Sequence, residues 1–273
     1  MEVKTVWALY YSATGNTKRL TLAAAKGAAE RLGLPLRESP FSTPVEREAL
    51  REFQSGELVF VGCPTYAGKL PNKLLPSFQE KLRGGGAFAA ALVSFGNRSF
   101  DHALSELGVT LEGDGFHTVS GAAFVGEHAF APSLAAGRPN EEDLAAAEDF
   151  GRKTAEKLLS CRKIPEAVQV PGDAAAPYYV PKGLDGEPAK FLKAKPKTRE
   201  ELCTGCGLCA TLCPMGSIDP RDVRLVPGVC IKCQACVRDC PTGAKYFDDP
   251  AFLSHKAMLE KNFQRKQEHQ SFF

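Results

Sequence analysis

The sequence predicts an α/β protein in two parts: a doubly wound parallel sheet with helices on both faces, then a small α+β domain rich in cysteine. The first 160 residues alternate strand-like and helix-like segments, a rhythm typical of parallel sheets. Eight of the ten cysteines then fall between residues 203 and 240, in two copies of one spacing. A chain of 273 residues is also long enough for two domains.

The segments of the first part can be assigned in order. Four apolar runs rich in alanine or β-branched residues are predicted strands: Val3–Tyr10, Leu58–Gly62, Ala87–Ser94 and Thr118–Val125. Four helices are predicted: Thr17–Leu32, Pro71–Leu82, Ser99–Leu107 and one that ends near Ser160. Asn140 is the expected N-cap of the last helix, because Glu141, Glu142 and Asp143 follow it and carboxylates favour the first turn.

Composition predicts the boundaries between domains. Residues 1–160 form the first domain. Six prolines without a clear period then indicate an ordered or semi-rigid connector over residues 161–196. The cysteine-rich domain follows over residues 197–249. Residues 250–273 form a C-terminal helix and tail, and the helix, Pro250–Glu268, is expected to pack against one of the domains.

The cysteine runs are Cys203-x2-Cys206-x2-Cys209-x3-Cys213-Pro214 and Cys230-x2-Cys233-x2-Cys236-x3-Cys240-Pro241. This spacing is typical of two [4Fe–4S] clusters, in which the fourth cysteine of each run ligates the cluster of the other run. The predicted ligands are therefore Cys203, Cys206, Cys209 and Cys240 for one cluster, and Cys230, Cys233, Cys236 and Cys213 for the other. Gly205 and Gly207 permit tight curvature. Zinc is the alternative, but the runs do not resemble a four-thiolate zinc site.

Three loops follow predicted strands and should meet at one edge of the sheet, where open α/β sheets bind ligands. The first, Ser12–Thr17, carries hydroxyls and precedes a helix, so it would surround a phosphate. It has neither the Walker lysine nor GxGxxG, which argues against a nucleoside triphosphate or NAD. An ordinary helix cap is the alternative. The other two loops are Cys63–Pro71 and Ser94–Arg98.

These loops resemble those of the flavodoxins, over Val3 to about Ser160. The resemblance implies the strand order 2-1-3-4-5 and a bound FMN. The residues it implies are Ser12, Thr14, Gly15, Asn16 and Thr17 for the phosphate, Thr65, Tyr66, Ala67 and Gly68 for the ring, and Phe95, Gly96 and Asn97 for its other side. Tyr66 is a stacking candidate. Core packing is the alternative role for Tyr66 and Phe95.

The cysteine module, about Lys197–Asp248, resembles the bacterial 2[4Fe–4S] ferredoxins. The whole chain resembles a family of flavodoxin–ferredoxin fusion proteins of anaerobic bacteria. That resemblance rests on three motifs: Gly96-Asn97-Arg98-x-x-Asp101-x-Ala103-Leu104, Ala123-Phe124-Val125-Gly126-Glu127-His128 and Gly137-Arg138-Pro139. It implies a redox function.

Several single residues near these loops have two interpretations. Glu127 and His128 follow the last predicted strand, so His128 would either approach the flavin or make a loop or domain contact. Arg98 is expected to pair with Asp101 rather than face the flavin. Lys69 is expected to be solvated rather than to approach the ring or the phosphate.

The predicted function is electron transfer between two [4Fe–4S] clusters and FMN, and on to redox partner proteins. One alternative is an enzyme whose flavin reduces a quinone, nitro compound, metal chelate or dioxygen. The other is a redox-sensing interaction module. The formal charge of +2 argues against nucleic-acid binding, and no apolar run is long enough to span a membrane. The N-terminus does not resemble a signal peptide, so a cytoplasmic location is expected, with a homodimer as one option for assembly.

Overall fold

The computed structural model of the protein describes residues 2–273. Its helices are α1 (Asn16–Leu32), α2 (Leu75–Lys81), α3 (Ala103–Gly113), α4 (Glu141–Ser160), α5 (Leu208–Thr211), α6 (Ala235–Arg238) and α7 (Pro250–Asn262). Its strands are β1 (Thr5–Tyr10), β2 (Leu36–Pro40), β3 (Arg51–Glu52), β4 (Glu57–Pro64), β5 (Leu82–Arg83), β6 (Phe88–Phe95), β7 (His117–Val125), β8 (Lys197–Thr198), β9 (Lys245–Tyr246) and β10 (Gln270–Phe272).

The central sheet has the strand order β10-β7-β6-β4-β1-β2. Its five strands from β7 to β2 are joined by four parallel pairings, and β10 adds an antiparallel edge strand. Numbered along the chain, the parallel strands follow the flavodoxin-like order 2-1-3-4-5. The predicted fold class is therefore confirmed. One buried apolar cluster lies between the sheet and helices α1 and α4, and another lies between the sheet and helices α2 and α3.

Helices α1 and α4 approach each other closely because glycine lies at two points of contact. A Cβ on Gly27 would lie 2.1 Å from the backbone oxygen of Glu148, and a Cβ on Gly151 would lie 1.7 Å from the oxygen of Ala24. Backbone atoms cannot move aside as a flexible side chain can. Any larger residue therefore forces the two helices apart.

Replacing Gly151 with alanine is expected to lower the free energy of unfolding by about 1–3 kcal/mol through overpacking. Gly108 in α3 supplies the control, because a Cβ there would meet nothing within 4 Å. Gly108→Ala should instead stabilise the protein by about 0.5–1 kcal/mol, since glycine disfavours a helix interior. Chemical denaturation of both variants measures the difference. Equal effects would show that α1 and α4 do not pack this closely.

Two predicted helices are confirmed, and one of them begins later than predicted. Helix α3 begins at Ala103 rather than Ser99, because Asp101 has a φ of 40° and pairs with Arg98 in a turn before the helix. The N-cap of α4 is Asn140 as predicted. Its side chain accepts from the Asp143 N–H at 3.0 Å, and the Asp143 carboxylate accepts from the Asn140 N–H at 2.9 Å.

The connector, residues 161–196, lies along the first domain. The Val168 N–H donates to Thr118 O at 2.9 Å, and the Tyr179 N–H donates to Ala67 O at 2.8 Å. The Tyr178 hydroxyl donates to Leu70 O at 2.8 Å. These bonds place the second half of the connector beside the loop that follows β4.

The C-terminal segment also returns to the first domain. Helix α7 packs through Met258 and Leu259 against Ala131 and Leu134, as the predicted C-terminal helix should. The helix ends at Asn262, earlier than the predicted Glu268. The reason is that the Asn97 side chain binds the extended backbone that follows, donating to Phe263 O at 2.6 Å and accepting from the Gln267 N–H at 3.2 Å.

The cysteine-rich domain is built on little regular structure. Strands β8 and β9 form a two-stranded antiparallel sheet, and α5 and α6 are one-turn helices that carry Cys209 and Cys236. Among residues 2–273, no helix has the length and hydropathy needed to cross a bilayer.

Candidate cofactor sites

A cavity of about 580 Å³ lies at the carboxyl edge of the parallel sheet. Its size is that of a site for a small organic ligand. Nine of the residues predicted to bind FMN line it: Thr14, Asn16, Thr17, Thr65, Tyr66, Ala67, Gly68, Phe95 and Gly96. Ser12, Gly15 and Asn97 do not line it. The structure thus brings the three predicted loops together at one place.

The first loop presents the N-terminus of α1 to the cavity. Gly15 immediately precedes the helix with a φ of 87°, and no side chain caps the first turn. The unpaired N–H groups there carry the positive end of the helix dipole, which favours an anion. The Ser12 hydroxyl is buried without a hydrogen-bond partner, whereas the Thr17 hydroxyl lies 2.7 Å from that of Ser94. The Thr17 hydroxyl therefore already has a hydrogen-bond partner within the protein.

The second loop is a tight turn. The Lys69 N–H donates to Tyr66 O at 3.2 Å, and the Tyr66 N–H donates back to Lys69 O at 2.8 Å. The two residues between them, Ala67 and Gly68, both have positive φ, as in a type I′ turn. The Tyr66 hydroxyl lies 3.3 Å from that of Tyr11. The ring of Tyr66 is therefore fixed beside the cavity.

Lys69 corrects an expectation. It is 7% exposed rather than solvated, and its ammonium lies 3.0 Å from the Glu106 carboxylate. It also donates to Ala174 O at 2.7 Å and to Ala176 O at 2.9 Å. These bonds join the second loop, α3 and the connector through one buried cation. Sequence spacing gave no sign of this, because the partners lie far along the chain.

The third loop contains residues that line the cavity and one residue, Asn97, that holds the C-terminal segment. Phe95 and Gly96 line the cavity, and a Cβ on Gly96 would lie 2.5 Å from the His128 ring. Glycine therefore permits the third loop and the loop after β7 to touch. Asn97 is buried and holds the C-terminal segment, as described above. Arg98 pairs with Asp101 as predicted, and its guanidinium lies 4.1 Å from the Tyr179 ring centre while lining the cavity.

Glu127 joins the loop after β7 to the cysteine-rich domain. Its carboxylate pairs with Arg238 and accepts from the Gly137 N–H at 2.9 Å. Burial would raise the pKa of Glu127, but these two partners hold it below its usual value. Its backbone oxygen accepts from the Asn16 amide at 3.0 Å. Glu127 thus makes a domain contact through its side chain and a loop contact through its backbone.

His128 lines the cavity and is uncharged at neutral pH. Its Nδ1 is buried without a hydrogen-bond partner. Burial lowers the pKa of His128 to about 4, and nearby His255 and Arg98 contribute less. A neutral imidazole can accept or donate a hydrogen bond to a ligand in the cavity, but it cannot supply a positive charge there.

Acid is expected to destabilise the protein through His128. The unfolded chain takes up the proton below about pH 6.5 while the folded chain excludes it to about pH 4, so stability falls as pH falls through that window. Between pH 7.5 and 5.0 the loss from this group is about 2 kcal/mol. Unfolding of the wild type and of His128→Phe at both pH values measures it. The variant should lose less stability than the wild type, and an equal loss would contradict the assignment.

The cysteine-rich domain closes the cavity on the side away from the sheet. Val229, Cys230, Ile231 and Lys232 line it. Ile231 also packs on the main core of the first domain. Burial raises the pKa of Tyr66, and the nearby Cys233 thiol is the second largest cause of the increase. The second cysteine run is therefore directly beside the predicted flavin-binding loops.

The two predicted ligand sets surround two separate small cavities. Cys203, Cys206, Cys209 and Cys240 line one, and Cys213, Cys230, Cys233 and Cys236 line the other. The fourth cysteine of each run thus lies with the first three of the other run, as the spacing predicted. Among residues 2–273, no group of His, Cys, Asp or Glu is placed to hold a metal ion, so the ligand sets stay predictions.

Backbone N–H groups point at the fourth cysteine of both runs. The Ser217 N–H lies 3.3 Å from Cys213 Sγ, and the Ala244 N–H lies 3.3 Å from Cys240 Sγ. Each donor is four residues after its cysteine, so the two runs share this geometry. Such donors stabilise thiolates that ligate clusters and tune their potentials.

The two sets differ in exposure to solvent. Burial raises the pKa of Cys233 to about 12. At Cys240 burial is outweighed by hydrogen bonds from Lys245, Thr242 and Ala244, which lower its pKa to about 7. Cys206 is exposed. We call the large cavity the flavin cavity, after the ligand that its loops predict. The cysteine set beside it is the proximal set, and the other is the distal set.

The cysteine-rich region was compared with known protein families. Residues 202–244 match the 4Fe-4S dicluster domain. The matched segment contains all eight clustered cysteines. The C-terminal part of the chain is therefore a 4Fe-4S dicluster domain joined to a flavodoxin-like α/β domain. No curated protein matches the chain.

Solved structures similar to this chain align with its first part. They include a flavodoxin from Archaea (20% identity, 57% of this chain and 99% of that chain, TM-score 0.38). The Flv1 flavodiiron core of Synechocystis sp. PCC6803 aligns at 21% identity (58% and 36%, TM-score 0.39). Rubredoxin oxygen:oxidoreductase of Desulfovibrio gigas aligns at 14% identity (59% and 38%, TM-score 0.36). This chain spans little more than a third of the last two. The fold assignment rests on the observed strand order, not on these scores.

The residues around the large cavity fit FMN. Two residues that line it carry a buried polar atom without a partner: Thr65 Oγ1 and His128 Nδ1. An unpaired buried polar atom is costly, so a polar ligand would satisfy atoms that the protein leaves open. The uncapped N-terminus of α1 suits a phosphate.

Proposed function

We propose that this protein transfers electrons between two [4Fe–4S] clusters and an FMN, and on to redox partner proteins. When bound, the clusters carry one electron each and FMN carries one or two. The observation that supports this most strongly is a shared wall. Val229, Cys230, Ile231 and Lys232 line both the proximal cysteine cavity and the flavin cavity.

The remaining contacts support a linear order of sites. Ile218 and Val223 pack with cysteines of both sets, so the two sets are neighbours within one small core. Only the proximal set borders the flavin cavity, and the distal set has the exposed Cys206. The order is therefore distal set, proximal set, flavin cavity. A redox partner protein would exchange electrons at the distal set.

The domain contacts support transfer within a single chain. Arg47 donates to Pro214 O, directly after the last cysteine of the first run, and Arg238 pairs with Glu127. The connector lies against the first domain and ends at the cysteine-rich domain. Fixing the two domains together replaces a collision between separate proteins by a contact that is always present.

Cofactor analysis after anaerobic purification tests the proposal. Iron, acid-labile sulfide and released flavin would be measured on the full chain. The proposal predicts about eight irons and one FMN per chain. Eight irons without flavin would overturn the FMN site and leave the clusters, whereas flavin with no iron would overturn the cluster assignment.

A further inference from the structure

The two cysteine runs adopt the same unusual backbone at equivalent positions. In the first run, Gly205 and Gly207 have φ of 69° and 77°. The equivalent residues of the second run are Lys232 and Gln234, with φ of 56° and 69°. The chain therefore needs left-handed backbone at both places to fold around the cysteine set.

Left-handed backbone is natural for glycine and unfavourable for residues with a Cβ. The first run has glycine at both positions, and the second run has neither. Lys232 and Gln234 therefore retain side chains where glycine would relieve strain. Strain of this kind indicates a role for the side chain.

The Lys232 side chain has contacts that glycine could not make. Its ammonium donates to Leu192 O of the connector at 2.5 Å and to Cys230 O at 3.0 Å. Leu192 lines the flavin cavity although it is 91% exposed, so it lies at the mouth of that cavity. Lys232 itself lines both the flavin cavity and the proximal cysteine cavity. Gln234 lines only the cysteine cavity.

The charge of Lys232 lies in the wall between the proximal cysteine set and the flavin cavity. A cluster held by four thiolates carries negative charge. Cys230 and Asp249 lie near the Lys232 ammonium, and Lys195 is the other cation near Cys230. Lys195, however, donates to Val226 O and Pro227 O and does not line the flavin cavity.

We propose that Lys232 is a positioning residue that holds the connector over the flavin cavity and keeps a positive charge between the flavin and the proximal cluster. This inference rests on the proposed function. It predicts two consequences: FMN binds more tightly because the mouth of the cavity is held in place, and the proximal cluster is easier to reduce because a cation lies beside it.

The test uses the full chain with both clusters and compares three variants with the wild type. Lys232→Gly removes the contacts and is compatible with folding, because glycine occupies the equivalent position of the first run. Lys232→Arg keeps the charge. Lys195→Met removes a lysine that also joins the connector to the cysteine-rich domain. The FMN dissociation constant is measured by flavin fluorescence, and the cluster potentials by redox titration followed by electron paramagnetic resonance.

Lys232→Gly is expected to weaken FMN binding about tenfold, the effect of losing one charged hydrogen bond, and to make one cluster potential more negative. Lys232→Arg should keep that potential, and Lys195→Met should leave the FMN dissociation constant unchanged. The inference is overturned if Lys232→Gly binds FMN as the wild type does, if Lys195→Met weakens binding equally, or if Lys232→Arg shifts the potential as glycine does. A wild-type chain that binds no FMN would instead contradict the proposed function.

Discussion

Replacing Cys233 with alanine is expected to remove the proximal cluster and to break the connection between the distal cluster and the flavin. Cys233 is partly buried and lies near Tyr66, which lines the flavin cavity. Iron content should fall from about eight to about four per chain, since each cluster needs four thiolates. Reduction of the flavin by electrons that enter through the clusters should then be lost.

Cys206→Ala supplies the matched control. It should also lower iron to about four per chain, but the cluster it removes is the distal one. Electrons placed on the remaining proximal cluster should still reach the flavin. Anaerobic rapid-mixing measurements of flavin absorbance distinguish the two variants. If Cys206→Ala abolishes internal flavin reduction while Cys233→Ala preserves it, the order of the sites is reversed.

Replacing Lys69 with methionine is expected to lower the free energy of unfolding by about 3–5 kcal/mol, the effect of leaving one partner of a buried ion pair alone. The Glu106 carboxylate would stay buried without its cation, since the side chains of the pair are only 8% and 9% exposed. The connector would also lose its bonds at Ala174 and Ala176. Chemical denaturation at neutral pH gives the magnitude.

Two further variants identify the cause of that loss. Lys69→Met with Glu106→Gln should recover much of the stability, because no charge is then left unpaired and the amide oxygen can still accept from the Leu70 N–H. Lys26→Met breaks an exposed pair with Glu148 and should change stability by less than about 1 kcal/mol. A double variant no more stable than Lys69→Met would contradict the role of the buried charge.

The sequence predicts those parts of the fold whose signal is local. The four predicted strands and four predicted helices of the first domain are present, because each carries a continuous apolar run or a helix-forming stretch. Strand β2, Leu36–Pro40, has mostly exposed residues and no apolar run, so its residues do not indicate a strand. Strand β10 cannot be predicted from its own residues either, because it forms by pairing with β7, about 150 positions earlier in the chain.

The residues of the candidate site likewise differ in whether a local sequence signal predicts them. The cysteine sets and the three loops are contiguous motifs, and the structure places their residues at cavities. The walls contributed by Tyr179, Leu192 and His255 come from a connector and a C-terminal helix that carry no cofactor motif. The burial of Lys69 and the contacts of Lys232 likewise depend on chain segments distant in sequence. Only the folded chain brings these groups to the cavity.

The most direct test of the account is the dependence of flavin reduction on protein concentration. A limiting amount of reductant would be mixed anaerobically with the fully loaded chain, and transfer from clusters to flavin followed by visible absorbance. Because both sites share a wall in one chain, the account predicts a first-order rate that stays constant as protein concentration is raised tenfold. A rate that rises in proportion to concentration would show that electrons pass between molecules, and would contradict the account.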